Sequence, residues 1–281
     1  MDRKDIRLIA LDLDGTLLNT QKELTNRNFR ALSAAAERGI YIVPTTGRFF
    51  SGMPKVILDL PFLRYAITVN GARVYDARED TVLRRAELTP ELALEIMTYL
   101  DGLDVAYDCY QDEWGWMSEK RLAAAAVFAP DAFYLDLLMR LRTPVPDLKV
   151  FVRERGKGVQ KVQAFFRVDQ LDLREELLTS LGERFPGTSV TSASPRNMEI
   201  NCAEASKGKA LLSLTEHLGL RREQTMAFGD GLNDLSMLEM AGTGVAMGNA
   251  CEEALAAADE RTASCDEDGV AVAVERLVLS S

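Results

Sequence analysis

Histidine is nearly missing from this chain of 281 residues, and cysteine is sparse: His217 stands alone, and Cys109, Cys202, Cys251 and Cys265 lie far apart. A single histidine disfavours Ser-His-Asp chemistry and histidine-rich metal sites. Its place between Leu214 and Leu218 on an amphipathic stretch reads as a partly buried structural residue. Without a Cys-x-x-Cys pair, neither zinc nor a disulfide framework is expected, and reduced thiols in a cytoplasmic protein are the simple reading. No apolar run approaches the roughly 20 residues of a membrane span. The opening Met1-Asp2-Arg3-Lys4-Asp5 lacks the apolar stretch of a signal peptide. No long block of like charge occurs, and the formal net charge is −10. A nucleic-acid surface, which needs clustered cations, is therefore not expected. An anionic substrate would have to be received by local cations or a metal, because the overall charge repels it.

What is present is ordinary for a globular protein: 47% hydrophobic and 27% charged residues, in a length that fits one large or two modest domains. Ile6 to Leu11 is a buried apolar strand; Thr25 caps a helix carrying Phe29, Leu32 and Ala36, and Gly39 ends it. Ile40 to Val43 is the next strand, so the chain opens strand–helix–strand, a parallel pair. Tyr65 to Val69 is a third strand, and Asn70-Gly71 turns it toward a returning strand, Arg73 to Asp76. From Thr89-Pro90, a cap with proline at the first helical position, strands and helices stop alternating regularly. The expectations there are a helix to Asp101, strands 104–110 and 114–118, helical structure over 119–142, strands 148–153 and 159–167, a helix 171–185, and strands 188–192 and 198–202. Regular alternation returns with the helix 206–218 and continues to the end. The pattern predicts one α/β core with a parallel sheet, residues 1–83 and 191–281, interrupted by an inserted α+β module, residues 84–190.

Four short segments carry chemistry. Asp12-Leu13-Asp14-Gly15-Thr16 puts two carboxylates at the carboxyl end of a buried strand, the end that faces the ligand crevice in open parallel sheets. Close carboxylates repel, and a divalent cation relieves that; the alternative for this segment is a turn with two solvated aspartates. Thr45-Thr46-Gly47-Arg48 follows the second strand and offers a hydroxyl and backbone amides to an anion, although taken alone it reads more simply as an ordinary helix N-cap. In Ser206-Lys207-Gly208-Lys209, Ser206 caps a helix and Lys207 opposes the helix dipole, which marks it as a point charge for a phosphoryl group or as an ordinary solvated lysine. Gly229-Asp230-Gly231-Leu232-Asn233-Asp234 again sets acids at a strand end. Its spacing departs from a calcium loop and suits magnesium, which takes few carboxylates.

In this order the four segments resemble the motifs of the haloacid dehalogenase superfamily, and DLDGTL, TTGR, SKGKAL and GDGLNDLSML are similar to its Cof-type branch, class IIB. The tail Met247-Gly248-Asn249-Ala250, Ala258-Asp259 and Asp266 to Ala271 resembles that branch too. The sequence departs from the pattern at Ala203-Glu204-Ala205, where the family more often has a glycine-containing turn. The resemblance implies a Rossmann-like core with an inserted cap, and a Mg2+-dependent phosphatase acting on small phosphorylated metabolites through an aspartyl-phosphate. It implies that Asp12 is the nucleophile and a metal ligand, and that Asp14 is the general acid/base and lends its backbone carbonyl to the metal. Asp230 and Asp234 complete the metal site, while Thr46, Lys207, Asn233 and the amide of Leu13 hold the phosphoryl group. The cap would act as a lid; Tyr107, Tyr110, Trp114 and Trp116 read as its core in preference to a substrate wall. A phosphomutase of the same superfamily, a non-catalytic phospho-ligand sensor and a receiver domain are the rival functions. Both the particular substrate and the oligomeric state stay open.

Overall fold

A computed structural model describes residues 5–280, so the reading of Met1–Lys4 falls outside the described residues. The chain divides into two compact units, the first built from the segment ending at Arg48, Met53–Arg85 and the segment from Ser206 on, the second from Phe49–Gly52 and Ala86–Ala205.

In the first unit five parallel strands lie in the order Glu260–Arg261, Thr243–Ala246, Thr225–Gly229, Leu8–Leu11, Tyr41–Pro44. Leu8–Leu11 is the pivot: it pairs with Tyr41–Pro44 on one side and with Thr225–Gly229 on the other. All four of its residues are buried, which explains why the run is continuously apolar rather than alternating. On one face Leu8, Ala10, Val43 and Ala227 pack against Ala210, Leu211 and Leu214 of the helix Lys207–His217 and Met237 of the helix Leu235–Met240. The helix Asn26–Glu37 is capped by Thr25, whose side chain accepts from the Asn28 amide, and it packs on Gly269–Val274. A small antiparallel sheet, Tyr65–Thr68, Arg73–Asp76 and Thr81–Arg85, continues from the main one through the bridge between Thr45 and Ile67. His217, expected to be partly buried, is exposed in the last turn of its helix and makes a T-shaped ring contact with Tyr65.

The second unit is a six-stranded sheet in the order Thr188–Thr191, Asn197–Cys202, Lys161–Phe165, Ala106–Gln111, Trp114–Ser118, Arg142–Val145. All pairs are antiparallel except the last. One face buries Tyr107, Cys109, Val162, Ala164, Met198 and Ile200 beneath the helices Pro90–Asp101, Leu148–Arg155 and Leu171–Arg184. Asn197–Cys202 hydrogen-bonds to Lys161–Phe165, so residues 191–205, assigned to the core from the sequence, fold with this unit.

Two elements differ from expectation. Residues 148–153 form a helix, not a strand. Asp147 caps it by accepting from the Lys149 and Val150 amides, left-handed Gly156 ends it, and Leu148 and Val152 are buried one turn apart. That cap and spacing override the β preference of Val150-Phe151-Val152. Arg142–Val145 is a strand where helix and then loop were expected. It lies at the sheet edge, where Pro144 is tolerated because a missing N–H costs no ladder bond on the open side.

Candidate active site

Three neighbouring parallel strands end together: Leu11 hands over to Asp12, Pro44 to Thr45-Thr46, and Gly229 to Asp230. The chain leaves Leu8–Leu11 toward Tyr41–Pro44 on one side and leaves Thr225–Gly229 toward Thr243–Ala246 on the other, a reversal at whose carboxyl end open parallel sheets place ligands.

Asp12 is buried, with its backbone amide bonded to the Phe228 carbonyl. The chain then turns sharply. The Leu13 carbonyl accepts from the amides of Thr16 and Leu18, and Gly15 takes φ +95°. A Cβ at Gly15 would run into the Asp230 carboxylate, so only glycine lets this loop approach it. Thr16 donates its hydroxyl to Asp230 Oδ1 at 2.7 Å.

Lys207 is fully buried, so the solvated-lysine alternative fails. Its Nζ donates to Asp12 Oδ1 at 2.5 Å and to Asp234 Oδ1 at 2.6 Å. A cation at the first position of a helix opposes the dipole, and two buried carboxylates outweigh that. The other oxygen of Asp234 accepts from the amides of Asp230 and Gly231 at 2.9 Å, which locks the loop.

Carboxylate oxygens of Asp12, Asp230 and Asp234 lie within 4.8 Å of one another. Three carboxylates face one ammonium, an excess of two negative charges when all are ionised. Burial, opposed by Lys207 and reinforced by Asp234 and Asp230, drives the Asp12 carboxyl well above its usual range. Burial and then Asp234 push Asp230 up to about 6. Burial lowers the Lys207 ammonium, but Asp12 and Asp234 outweigh it and hold the lysine charged. An oxygen-only set with surplus negative charge is what a hard divalent cation fits.

Asp14 stands apart from this cluster. Its carboxylate accepts from Arg48 Nε and Nη2, both at 2.9 Å, and pairs with Lys22 at 3.1 Å. Burial raises the Asp14 carboxyl, yet Arg48 and Lys22 prevail and hold it below the usual range. Proton donation from Asp14 therefore requires that Arg48 release it.

Thr46 is buried, accepts from the Arg48 amide through its hydroxyl, and donates its own amide to Ile67. Asn233 is half-buried and donates to Asn70 Oδ1 at 3.3 Å. The sequence reading passed over Arg48, Lys22, Thr16, Asn70 and Asn249. Thr16, Arg48 and Asn249 lie inside segments singled out for resemblance, and Asn249 donates to the Gly15 carbonyl at 2.8 Å. Lys22 carries no local signal beyond its positive φ, which sequence does not display.

A family model of haloacid dehalogenase-like hydrolases matches residues 9–274. A Bacillus subtilis 5-amino-6-(5-phospho-D-ribitylamino)uracil phosphatase is 30% identical over 98% of this chain and 97% of its own length. The solved structure of a haloacid dehalogenase-like hydrolase from B. subtilis superposes with a TM-score of 0.84 at 28% identity, covering 97% of this chain and all (100%) of that one. That of a subclass IIB sugar phosphatase gives 0.81 at 25% identity, covering 98% and 100%.

Proposed function

The chain belongs to the haloacid dehalogenase-like hydrolases and is a phosphatase of small phosphorylated substrates, and from that footing we propose that it is Mg2+-dependent and works through an aspartyl-phosphate on Asp12. The observation that carries this reading is the Asp12 carboxylate, joined to buried Lys207 and facing the carboxylates of Asp230 and Asp234.

Asp12, Asp230 and Asp234, with the Asp14 backbone carbonyl, would hold the metal. Once bound, it supplies positive charge that offsets the carboxylate excess and the charge of the phosphoryl oxygens. Lys207, Thr46, Asn233 and the Leu13 amide bind the phosphoryl group. An oxygen of Asp12 attacks phosphorus, the phosphorus–oxygen bond to the organic group breaks, and Asp14 delivers a proton to the departing oxygen. Asp14 then takes a proton from water as that water attacks the acyl phosphate, which restores the Asp12 carboxylate and frees orthophosphate. Proton transfer of this kind contributes about 10²–10⁴ in rate. Arg48 must exchange Asp14 for another partner during this cycle, because an aspartate held as a pure acceptor gives no proton.

Residues 86–205 correspond, in this reading, to the inserted cap that the family resemblance implies. The sheet face opposite their apolar core carries a second apolar cluster around Ala106, Met117 and Phe165 and, beside it, buried Asp108, Tyr110, Lys161, Gln163 and Glu199, with Asp108 paired to Arg142 and Lys161 to Glu199. The relatives act on a phosphoribitylamino compound and on sugar phosphates. Polyhydroxylated phosphate monoesters are therefore the first class to test. Among the described residues no helix is long and apolar enough to cross a membrane.

The test is orthophosphate release from a panel of such esters, with and without Mg2+, with Asp12→Asn as control. Metal-dependent release abolished in the variant is expected. Isomerisation of a sugar phosphate without free orthophosphate would replace hydrolysis by mutase chemistry, and folded protein inert toward every ester would remove the catalytic reading.

A further inference from the structure

Between the strands Tyr65–Thr68 and Arg73–Asp76 the backbone takes three left-handed residues in a row: Val69 at φ +50°, Asn70 at +55° and Gly71 at +94°. Glycine adopts this region freely and asparagine with some ease, but a β-branched valine does so only under constraint. A plain hairpin turn would need no such valine.

The turn closes on itself through the Ala72 amide and the Val69 carbonyl, and directs its remaining amides and the Asn70 side chain to the candidate site. The Val69 amide donates to the Arg48 carbonyl at 2.9 Å and the Asn70 amide to the Thr46 carbonyl at 3.0 Å. The Asn70 side-chain oxygen accepts from Asn233 Nδ2 at 3.3 Å, across 163 residues of chain. A Cβ at Gly71 would overlap the Ser206 carbonyl, so the same turn lies flat against the residue that starts the Lys207 helix. Three buried residues thus touch the segment after the second strand, the head of the lysine helix and the loop after Asp230.

We infer that Asn70 is a positioning residue of the phosphoryl site, acting through Asn233; the inference rests on the reading of Asn233 and Thr46 as phosphoryl-binding groups. A carboxamide nitrogen has two protons. By accepting one from Asn233, Asn70 fixes the plane of that amide and the direction of the other N–H. Through its backbone it holds the Thr46 segment at a set distance from the same amide. Asn is suited to this post because it combines tolerance of a left-handed backbone with an acceptor side chain.

Asn70→Gly separates the two duties, since glycine keeps the turn and removes the acceptor. Orthophosphate binding in the presence of Mg2+ is measured by calorimetry for wild type, Asn70→Gly, Asn233→Ala and the double variant, each with its melting temperature. Asn70→Gly is expected to melt within a few degrees of wild type and to bind orthophosphate about five- to tenfold more weakly, the effect of one hydrogen bond. The double variant should bind no more weakly than Asn233→Ala alone. Unchanged affinity in Asn70→Gly, or losses that multiply in the double variant, would overturn the inference. Wild-type protein that binds no orthophosphate would overturn the phosphoryl-site reading and this role with it, and the wild type alone reports that case. Should Asn70→Gly fail to fold, the side-chain amide protons of Asn233 in wild type decide. One exchanging slowly with water while the other shifts on orthophosphate addition supports the role; two equally fast-exchanging protons refute it.

Discussion

Asp230 is where the chemistry of the site meets its stability. Burial and Asp234 push its carboxyl up to about 6, against 3.8 for the unperturbed group. The sign follows from proton counting. A group whose folded value is raised stabilises the fold fully below its unfolded value, and that contribution fades as pH rises through the folded value. For Asp230 the loss falls between about pH 4 and pH 6, so at pH 8 the metal-free site holds uncompensated charge. Magnesium held as proposed by Asp12, Asp230 and Asp234 would compete with those protons and restore the balance. The rise in melting temperature on adding Mg2+ should therefore be larger at pH 8 than at pH 5, read by thermal denaturation at matched ionic strength. Equal rises at both values would contradict the assignment of Asp230 to the metal. The position of Asp12, Lys207 and Asp230 was legible in sequence because each stands where a strand or helix begins or ends. What those residues face was not legible: the Asp14 carboxylate turned to Arg48 and Lys22, and the burial of Lys207, depend on partners 34 and 195 residues away.

At the scale of elements, the helix Lys207–His217 depends on how closely it lies against Leu235–Met240. Gly208 has its amide bonded to the Ser236 hydroxyl at 3.1 Å, and a Cβ there would overlap the Ser236 carbonyl. Gly208→Ala must push the two helices apart and draw Lys207 away from Asp12. Overpacking of this kind costs about 1–3 kcal/mol. The expected outcome is a melting temperature lower by several degrees, with loss of Mg2+-dependent phosphate release steeper than the loss of folded protein. Activity that merely tracks the folded fraction would show that helix spacing is not what places the lysine. The first unit was the readable one because its inner strands are continuous apolar runs separated by capped helices. The second was harder. Five of its six strands were legible, Lys161–Phe165 and Asn197–Cys202 through their polar–apolar alternation, and the misreadings fell on the stretch from Arg142 to Arg155. There the Asp147 cap decided 148–155 against its own β-branched residues, and the edge position of Arg142–Val145 made room for a proline.

Taken whole, the molecule is unevenly autonomous. Residues 86–205 contain a complete six-stranded sheet with its own apolar core. Expressed alone, they should unfold cooperatively by circular dichroism; a gradual, featureless melt would show that this core is insufficient. Residues 5–85 alone should show no cooperative transition, because Leu8–Leu11 would lack the neighbour Thr225–Gly229. That pairing has a consequence during synthesis. The first strand must wait for more than two hundred further residues before its second neighbour exists. At about 5–20 residues per second, the wait lasts roughly 10–40 s. Throughout it the segment Leu-Ile-Ala-Leu, without a charge of its own, offers an open apolar edge to any strand in a crowded cell. The ribosome thus delivers Asp12 early and the strand that shelters it late, which makes the nascent chain, more than the finished protein, the form exposed to strand-to-strand aggregation.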